Sequence, residues 1–97
     1  MTTAIINFRL SDQKGITICY VFIDEVPLSQ NGSEYRILVE VGVPHTIRYN
    51  FSGQPGGSLT AEVIDHGKVI ASREPAKIPL GKTHSWDRLR FTVEGES

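Results

Sequence analysis

The feature that most constrains the fold is a pair of apolar, β-branched runs that flank Asp65-His66-Gly67-Lys68, within residues 59–73. Glycine at a turn permits a positive φ, and aspartate favours turn entry through its side chain. The segment therefore predicts an antiparallel hairpin. A two-residue loop would need a positive φ at His66, which asparagine or aspartate tolerates better. We favour a three-residue loop of Asp65, His66 and Gly67, with a bulge at Gly67.

The length of this loop sets which residues face each other across the hairpin. Three loop residues place Val63 opposite Val69 and Ala61 opposite Ala71, and Leu59 extends the same face. One apolar face and one mixed face are typical of an antiparallel strand pair with one side on a core. We therefore predict that these five residues face the core.

Runs with a period of two predict further strands with one buried face. They lie at residues 3–10, 16–24, 35–41, 45–51 and 88–94. Polar or glycine-rich clusters between the runs predict turns and loops. They lie at residues 11–15, 29–33, 53–58 and 82–87. Residues 74–80 contain two prolines, which argue against a central strand and predict an edge or irregular extended segment.

About seven short strands separated by turns predict an all-β domain, either a sandwich or a small barrel. The long connections at residues 53–58 and 74–87 favour a single antiparallel β-sandwich that spans residues 1–97, with residues 94–97 as a frayed tail. The architecture resembles the immunoglobulin-like and fibronectin-like class in strand count and strand length only. The Cys…Trp…Cys signature of true immunoglobulin domains is missing.

Composition limits the classes of molecule that we expect the chain to bind. A net charge of −1 lacks the positive excess of a protein that binds nucleic acid or an anionic membrane, so we expect neither partner. No run approaches the roughly 20 apolar residues of a membrane-spanning helix, and the N-terminus lacks the basic start of a signal peptide. Cys19 is the only cysteine, which excludes an intramolecular disulfide. We expect a soluble protein that is cytoplasmic by default.

The chain contains residue types that form catalytic and metal sites, but not in the sequence spacing that is typical of such sites. His45, His66 and His84 lack the spacing of a preformed metal site, and we interpret each as an exposed loop residue. His84, Ser85 and Asp87 are the types of a catalytic triad, but triads assemble from separated positions, and no Gly-x-Ser-x-Gly motif occurs. Cys19 lies in an apolar run, where a thiol is usually inert. We therefore predict no enzyme, no cofactor and no metal.

Exposed aromatic and arginine residues are the candidates for binding. They are Tyr20, His84, Trp86, Asp87, Arg88 and Arg90. Trp86 in the predicted polar loop is either a binding residue or, as we favour, a cap on the core. For Arg88 and Arg90 we favour cross-strand pairs with glutamates over a basic strip. Residues 16–23 are apolar on both faces, so an uncovered second face would predict a partner surface or self-association.

These observations predict a non-enzymatic binding or assembly module. It would associate with another protein or with itself, as a homodimer, through a sheet face or an edge strand. One alternative is a carbohydrate-binding sandwich that uses the Trp86 loop. A further alternative is a small hydrolase or metal enzyme built on His66, His84, Ser85 and Asp87.

Overall fold

The computed structural model describes residues 2–28 and 34–94, and every regular element in those ranges is a β-strand. The strands are β1 (Thr3–Ile23), β2 (Val26–Pro27), β3 (Glu34–Glu40), β4 (Pro44–Asp65), β5 (Lys68–Ser72), β6 (Ala76–Lys77) and β7 (His84–Thr92). They form one antiparallel sheet of seven strands, which confirms the predicted all-β class. The same ranges contain no helix long and apolar enough to cross a membrane. The turn predicted at 29–33 and the tail at 95–97 lie outside the described residues.

Two long strands, β1 and β4, organise the sheet because they pair from Ile23↔Ile47 to Asn7↔Ile64. The first part of β1 lies between β3 and the last part of β4, which also pairs with β5 and β6. The second part of β1 pairs with the first part of β4, and β7 covers the far side of that part. The sheet therefore has two halves that share the two long strands.

Glycines let β1 and β4 continue between the two halves. The pairing shifts register three times between Ser11 and Ile18, where β1 contains a positive φ at Gly15. A Cβ on Gly53 of β4 would lie 1.9 Å from the Gly15 carbonyl oxygen. The predicted turn at 11–15 and loop at 53–58 are therefore wrong. These glycines permit a close approach of two backbones inside a bulged ladder, which also bends the strands.

The inward faces of the strands form one core, as the alternation predicts. Its buried members are Ile6, Phe8, Leu10, Val21, Tyr35, Ile37, Val39, Ile47, Tyr49, Phe51, Leu59, Ala61, Val63, Ile78, Leu89, Phe91 and Val93. The Phe8 and Tyr49 rings, which belong to different halves of the sheet, have centroids 5.8 Å apart. This ring contact therefore joins the two halves of the sheet within the core.

The hairpin at the end of β4 has a shorter loop than predicted. His66 and Gly67 have φ values of 50° and 76°, and Asp65 pairs directly with Lys68, so the loop has two residues. A register shift after Ile64↔Val69 pairs Val63 with Ala71, so the predicted pairs Val63–Val69 and Ala61–Ala71 are both wrong. Leu59, Ala61 and Val63 are buried and Ala71 packs against the core, as predicted, but Val69 is 44% exposed. The prediction missed the bulge that reconciles the short loop with the apolar face.

The proline-containing segment at residues 74–80 is irregular, as predicted. Only Ala76 and Lys77 pair with β4, opposite Leu59 and Ser58. Ile78 is buried in the core, and its N–H donates to the Gly57 carbonyl at 2.8 Å. The segment therefore closes one side of the core without extending the sheet far.

Candidate functional site

Three strands place Tyr20, Asn50 and Trp86 side by side on the outer surface. Tyr20 of β1 pairs with Asn50 of β4, which pairs with Trp86 of β7. Directly paired residues project to the same side of a sheet, so the three side chains share one face. Their sequence neighbours Val21 and Tyr49 are buried, which identifies this face as the outward one.

The same alternation defines the rest of this surface, which we call the aromatic face. Its members are Ile18, Tyr20 and Phe22 of β1, Arg48, Asn50 and Ser52 of β4, and His84, Trp86, Arg88 and Arg90 of β7. Five of the six predicted binding residues are therefore brought together. The prediction of a loop at 82–87 is wrong for its second part, because β7 already begins at His84.

Two large aromatic side chains of this face are exposed, Tyr20 by 59% and Trp86 by 58%. Trp86 therefore does not cap the core, contrary to the interpretation that the sequence favoured. Ile18 beside Tyr20 is 44% exposed. The second face of residues 16–23 is therefore uncovered by the described residues, the case in which an apolar strand predicts a partner surface.

An arginine cluster lies beside the aromatic pair. Arg48 and Arg88 are directly paired, and a like-charge cross-strand pair is unfavourable. The Arg48 guanidinium lies 4.5 Å from the centroid of the Phe22 ring, and its Nη2 is 3.0 Å from Glu25 Oε2. The predicted Glu–Arg cross-strand pairing is thus wrong for Arg88. It is confirmed elsewhere on the sheet, between Arg9 and Glu62 at 3.5 Å.

Two polar atoms on this face are buried without a hydrogen-bond partner among the described residues. They are Nε of Arg48 and Oδ1 of Asn50. Both residues belong to β4, which lies between β1, with Tyr20 and Phe22, and β7, with Trp86 and Arg88. Buried polar atoms usually have partners, so these two atoms are exceptions among the described residues.

Asp87 is the predicted binding residue that the structure separates from the others. It pairs with the buried Tyr49, so its side chain belongs to the inward side of β7. Its Oδ2 lies 3.4 Å from Nε of Arg73, and its Oδ1 accepts a hydrogen bond from the Arg88 N–H at 2.8 Å. Burial, and then the nearby Asp87 charge, raise the pKa of Tyr49 above its ordinary value. Asp87 therefore contacts Arg73 and does not belong to the aromatic face.

His45 is buried, which contradicts its interpretation as an exposed loop histidine. Its Nδ1 lies 2.7 Å from Asp24 Oδ2 and its Nε2 lies 2.8 Å from the Glu40 carbonyl oxygen. Both partners accept hydrogen bonds, so both ring nitrogens are satisfied only in the imidazolium form. Burial alone would lower the pKa of His45, but the hydrogen bonds that its ring donates to Asp24 and to the Glu40 carbonyl outweigh burial and raise the pKa. Asp24 Oδ1 also accepts from the Thr46 N–H at 2.9 Å.

The chemistry of other candidate groups is limited by their surroundings. Burial raises the pKa of the Cys19 thiol to about 11, so it is protonated at neutral pH. Across residues 2–28 and 34–94, no three His, Cys, Asp or Glu side chains are grouped closely enough to hold a metal ion. His66 and His84 lie on different elements, at the β4–β5 loop and on β7.

Sequence reasoning missed Asn50 and Ser52, which lie on β4 beside Arg48, a residue that it had considered for a basic strip with Arg88 and Arg90. Asn50, Arg48 and Ser52 alternate with buried residues, so their outward orientation was predictable. Their position between Tyr20 and Trp86 was not, because strand order is a property of long-range pairing. The chain matches no protein-family model, no curated protein and no solved structure in comparisons with all three.

Proposed function

We propose that this protein is a non-enzymatic binding module that associates with another protein through the aromatic face. The observation that carries the proposal is the alignment of Tyr20 and Trp86 on either side of Asn50, with both aromatic side chains more than half exposed. Tryptophan, tyrosine and arginine are the residues that dominate binding energy at protein interfaces. All three types lie together on this face.

A photo-crosslinking side chain at position 86 tests this proposal in a lysate of the source cells. Mass spectrometry identifies the captured protein, which is then purified and titrated against the unmodified chain. We expect Trp86→Ala to weaken that binding by about 30-fold, in line with about 2 kcal/mol for an aromatic hot spot. Leu80, which is 86% exposed but outside the face, gives the matched control position. Equal capture at positions 80 and 86, or unchanged affinity of Trp86→Ala, contradicts the proposal.

Carbohydrate binding is the second candidate function. Its support is the Asn50 amide between two exposed aromatic rings, since sugar rings stack on aromatic faces while amides bind hydroxyl groups. A glycan array probed with the protein and with Trp86→Ala separates the two functions. Glycan binding that disappears with Trp86 favours the carbohydrate function over a protein partner.

We also propose a finer classification of the fold and a cellular location. We propose that the two halves of the sheet face each other as a β-sandwich of the immunoglobulin-like type, which the contact between Phe8 and Tyr49 supports. We place the chain in the cytoplasm, where a lone, half-buried thiol such as Cys19 stays reduced. An experimental structure and the localisation of a tagged protein test these two assignments.

A further inference from the structure

The arginine end of the aromatic face carries more positive than negative charge. Arg48, Arg88 and Arg90 share this end, and the ion pair formed there by described residues joins Arg48 to Glu25. Asp24 adds no partner for them, because its two carboxylate oxygens already bind His45 and the Thr46 N–H. The chain as a whole has a net charge of −1, so this excess is local.

The Arg48 guanidinium is held in place for a planar ligand. It lies over the Phe22 ring, at 4.5 Å from its centroid, and contacts Glu25 through Nη2. The Glu25 side chain is 72% exposed, so a competing carboxylate can reach its position from solvent. A guanidinium binds a carboxylate through two parallel N–H donors, and prior orientation reduces the entropy lost on binding.

We propose that this end binds the carboxylates of an acidic, extended segment of a partner protein, whose apolar side chain packs on Trp86 and Tyr20. This inference rests on the proposed function and names its partner. A second copy is a poor occupant because it would present the same cationic face. A long polyanion such as nucleic acid would meet the net negative charge of the rest of the chain, whereas a short acidic segment meets only this end.

Trp86 provides a direct probe, because it is the only tryptophan in the chain. We would titrate the protein with a hexaglutamate peptide that carries one phenylalanine, and with its hexaglutamine counterpart. A fluorescent label on each peptide gives the affinity by anisotropy, and Trp86 emission shows whether the peptide reaches the face. We expect a blue shift of Trp86 emission with the glutamate peptide. We expect about tenfold weaker binding of the glutamine peptide, as for the loss of 1.4 kcal/mol.

The matched variants are two double substitutions, each of which removes two positive charges. Arg88→Gln with Arg90→Gln should weaken binding of the glutamate peptide by about tenfold, since two exposed charges that would pair with its carboxylates are removed. Lys68→Gln with Lys77→Gln lowers the net charge equally on β5 and β6 and should leave the affinity unchanged. The conservative Arg88→Lys with Arg90→Lys should recover part of the loss, and circular dichroism confirms that each variant is folded.

The outcomes separate this inference from the proposed function. Equal binding of the two peptides, or equal weakening by the arginine and lysine substitutions, overturns the acidic partner. Tighter binding of a labelled oligonucleotide or heparin fragment than of the glutamate peptide overturns it as well. If the captured protein still requires Trp86 after any of these results, the proposed function stands without the acidic segment. If its binding ignores Trp86 too, both fail.

Discussion

At the scale of single residues, the His45 ring has a hydrogen-bond acceptor at each nitrogen and a ring contact with Phe91 at 5.7 Å between centroids. The imidazolium form therefore stabilises the folded chain. It joins Asp24, in the turn after β1, to the Glu40 carbonyl at the end of β3. Because Glu25 of the same turn contacts Arg48, this buried contact also supports one end of the aromatic face.

Stability should fall on both sides of a pH window. The pKa of His45 is raised above its ordinary 6.5, so its contribution is complete below pH 6.5 and is lost as pH rises through the folded value. Burial opposes the shift at Asp24, but hydrogen bonds from His45 and Thr46 lower its pKa below 3.8, so its contribution is lost in acid. Urea unfolding at pH 6 and pH 9 should show lower stability at pH 9. His45→Gln should reduce that difference, whereas the exposed His66→Gln should retain it.

The hairpin loop gives a second prediction at this scale. His66 has a φ of 50° in a two-residue loop, a conformation that asparagine adopts more readily. We expect His66→Asn to raise the free energy of unfolding by about 0.5 kcal/mol, the size typical of compatible turn substitutions. Thermal and urea unfolding measure the change. His66→Ala provides the control, and equal stability of the two variants would contradict the role of backbone conformation.

At the scale of elements, the close approach of β1 and β4 depends on Gly53. Alanine there would place its Cβ 1.9 Å from the Gly15 carbonyl oxygen, so one of the two strands must move. We expect Gly53→Ala to lower the free energy of unfolding by about 3 kcal/mol, at the upper end for overpacking. Gly42→Ala is the control, because its φ of 83° strains the backbone but nothing lies within 4 Å, and should cost about 1–2 kcal/mol. A smaller effect at Gly53 than at Gly42 would show that the strands separate easily.

These glycines also show where sequence reasoning stops. The alternation of Ile6, Phe8 and Leu10, like that of Tyr49 and Phe51, predicted the buried faces correctly because a strand has a fixed period of two. The same rules treat a glycine cluster as a turn, since a local pattern does not reveal a second backbone that approaches it. The continuity of β1 and β4 through residues 11–15 and 53–58 therefore depends on long-range pairing, which the local sequence pattern does not show.

For the candidate site, too, the sequence predicted the residues but not their arrangement in space. Exposed aromatic and arginine types identified Trp86, Tyr20, Arg88 and Arg90 from sequence, and the register placed them on one face. The burial of His45 was hidden because its carboxylate partner, Asp24, lies 21 residues away in sequence. Residue chemistry thus selects candidates, and only the sheet topology shows which of them meet.

At the scale of the whole molecule, the chain is elongated, with extents of 48 × 22 × 19 Å, and the two halves of its sheet differ in their outward surfaces. The aromatic face lies on the half formed by β7 and the adjoining parts of β1 and β4. On the other half, Ile5 and Leu38 are directly paired on the outer surface and are 55% and 66% exposed. Val69, 44% exposed, lies on the same half, so apolar surface is also available on the half that does not carry Arg48, Arg88 and Arg90.

This separation predicts that the chain self-associates through the Ile5–Leu38 pair and leaves the aromatic face available. We expect multi-angle light scattering to show a mass that rises towards that of a dimer at high protein concentration, because pairing two such patches removes apolar surface from water. Leu38→Glu should keep the chain monomeric, since it would bury a charge between the copies. Trp86→Ala should leave the dimer unchanged. A strictly monomeric chain would rule out the homodimer. A dimer that is lost with Trp86→Ala instead of Leu38→Glu would show that self-association uses the aromatic face. Two copies would then bind through the same cationic surface, and the charge argument for an acidic partner would fail.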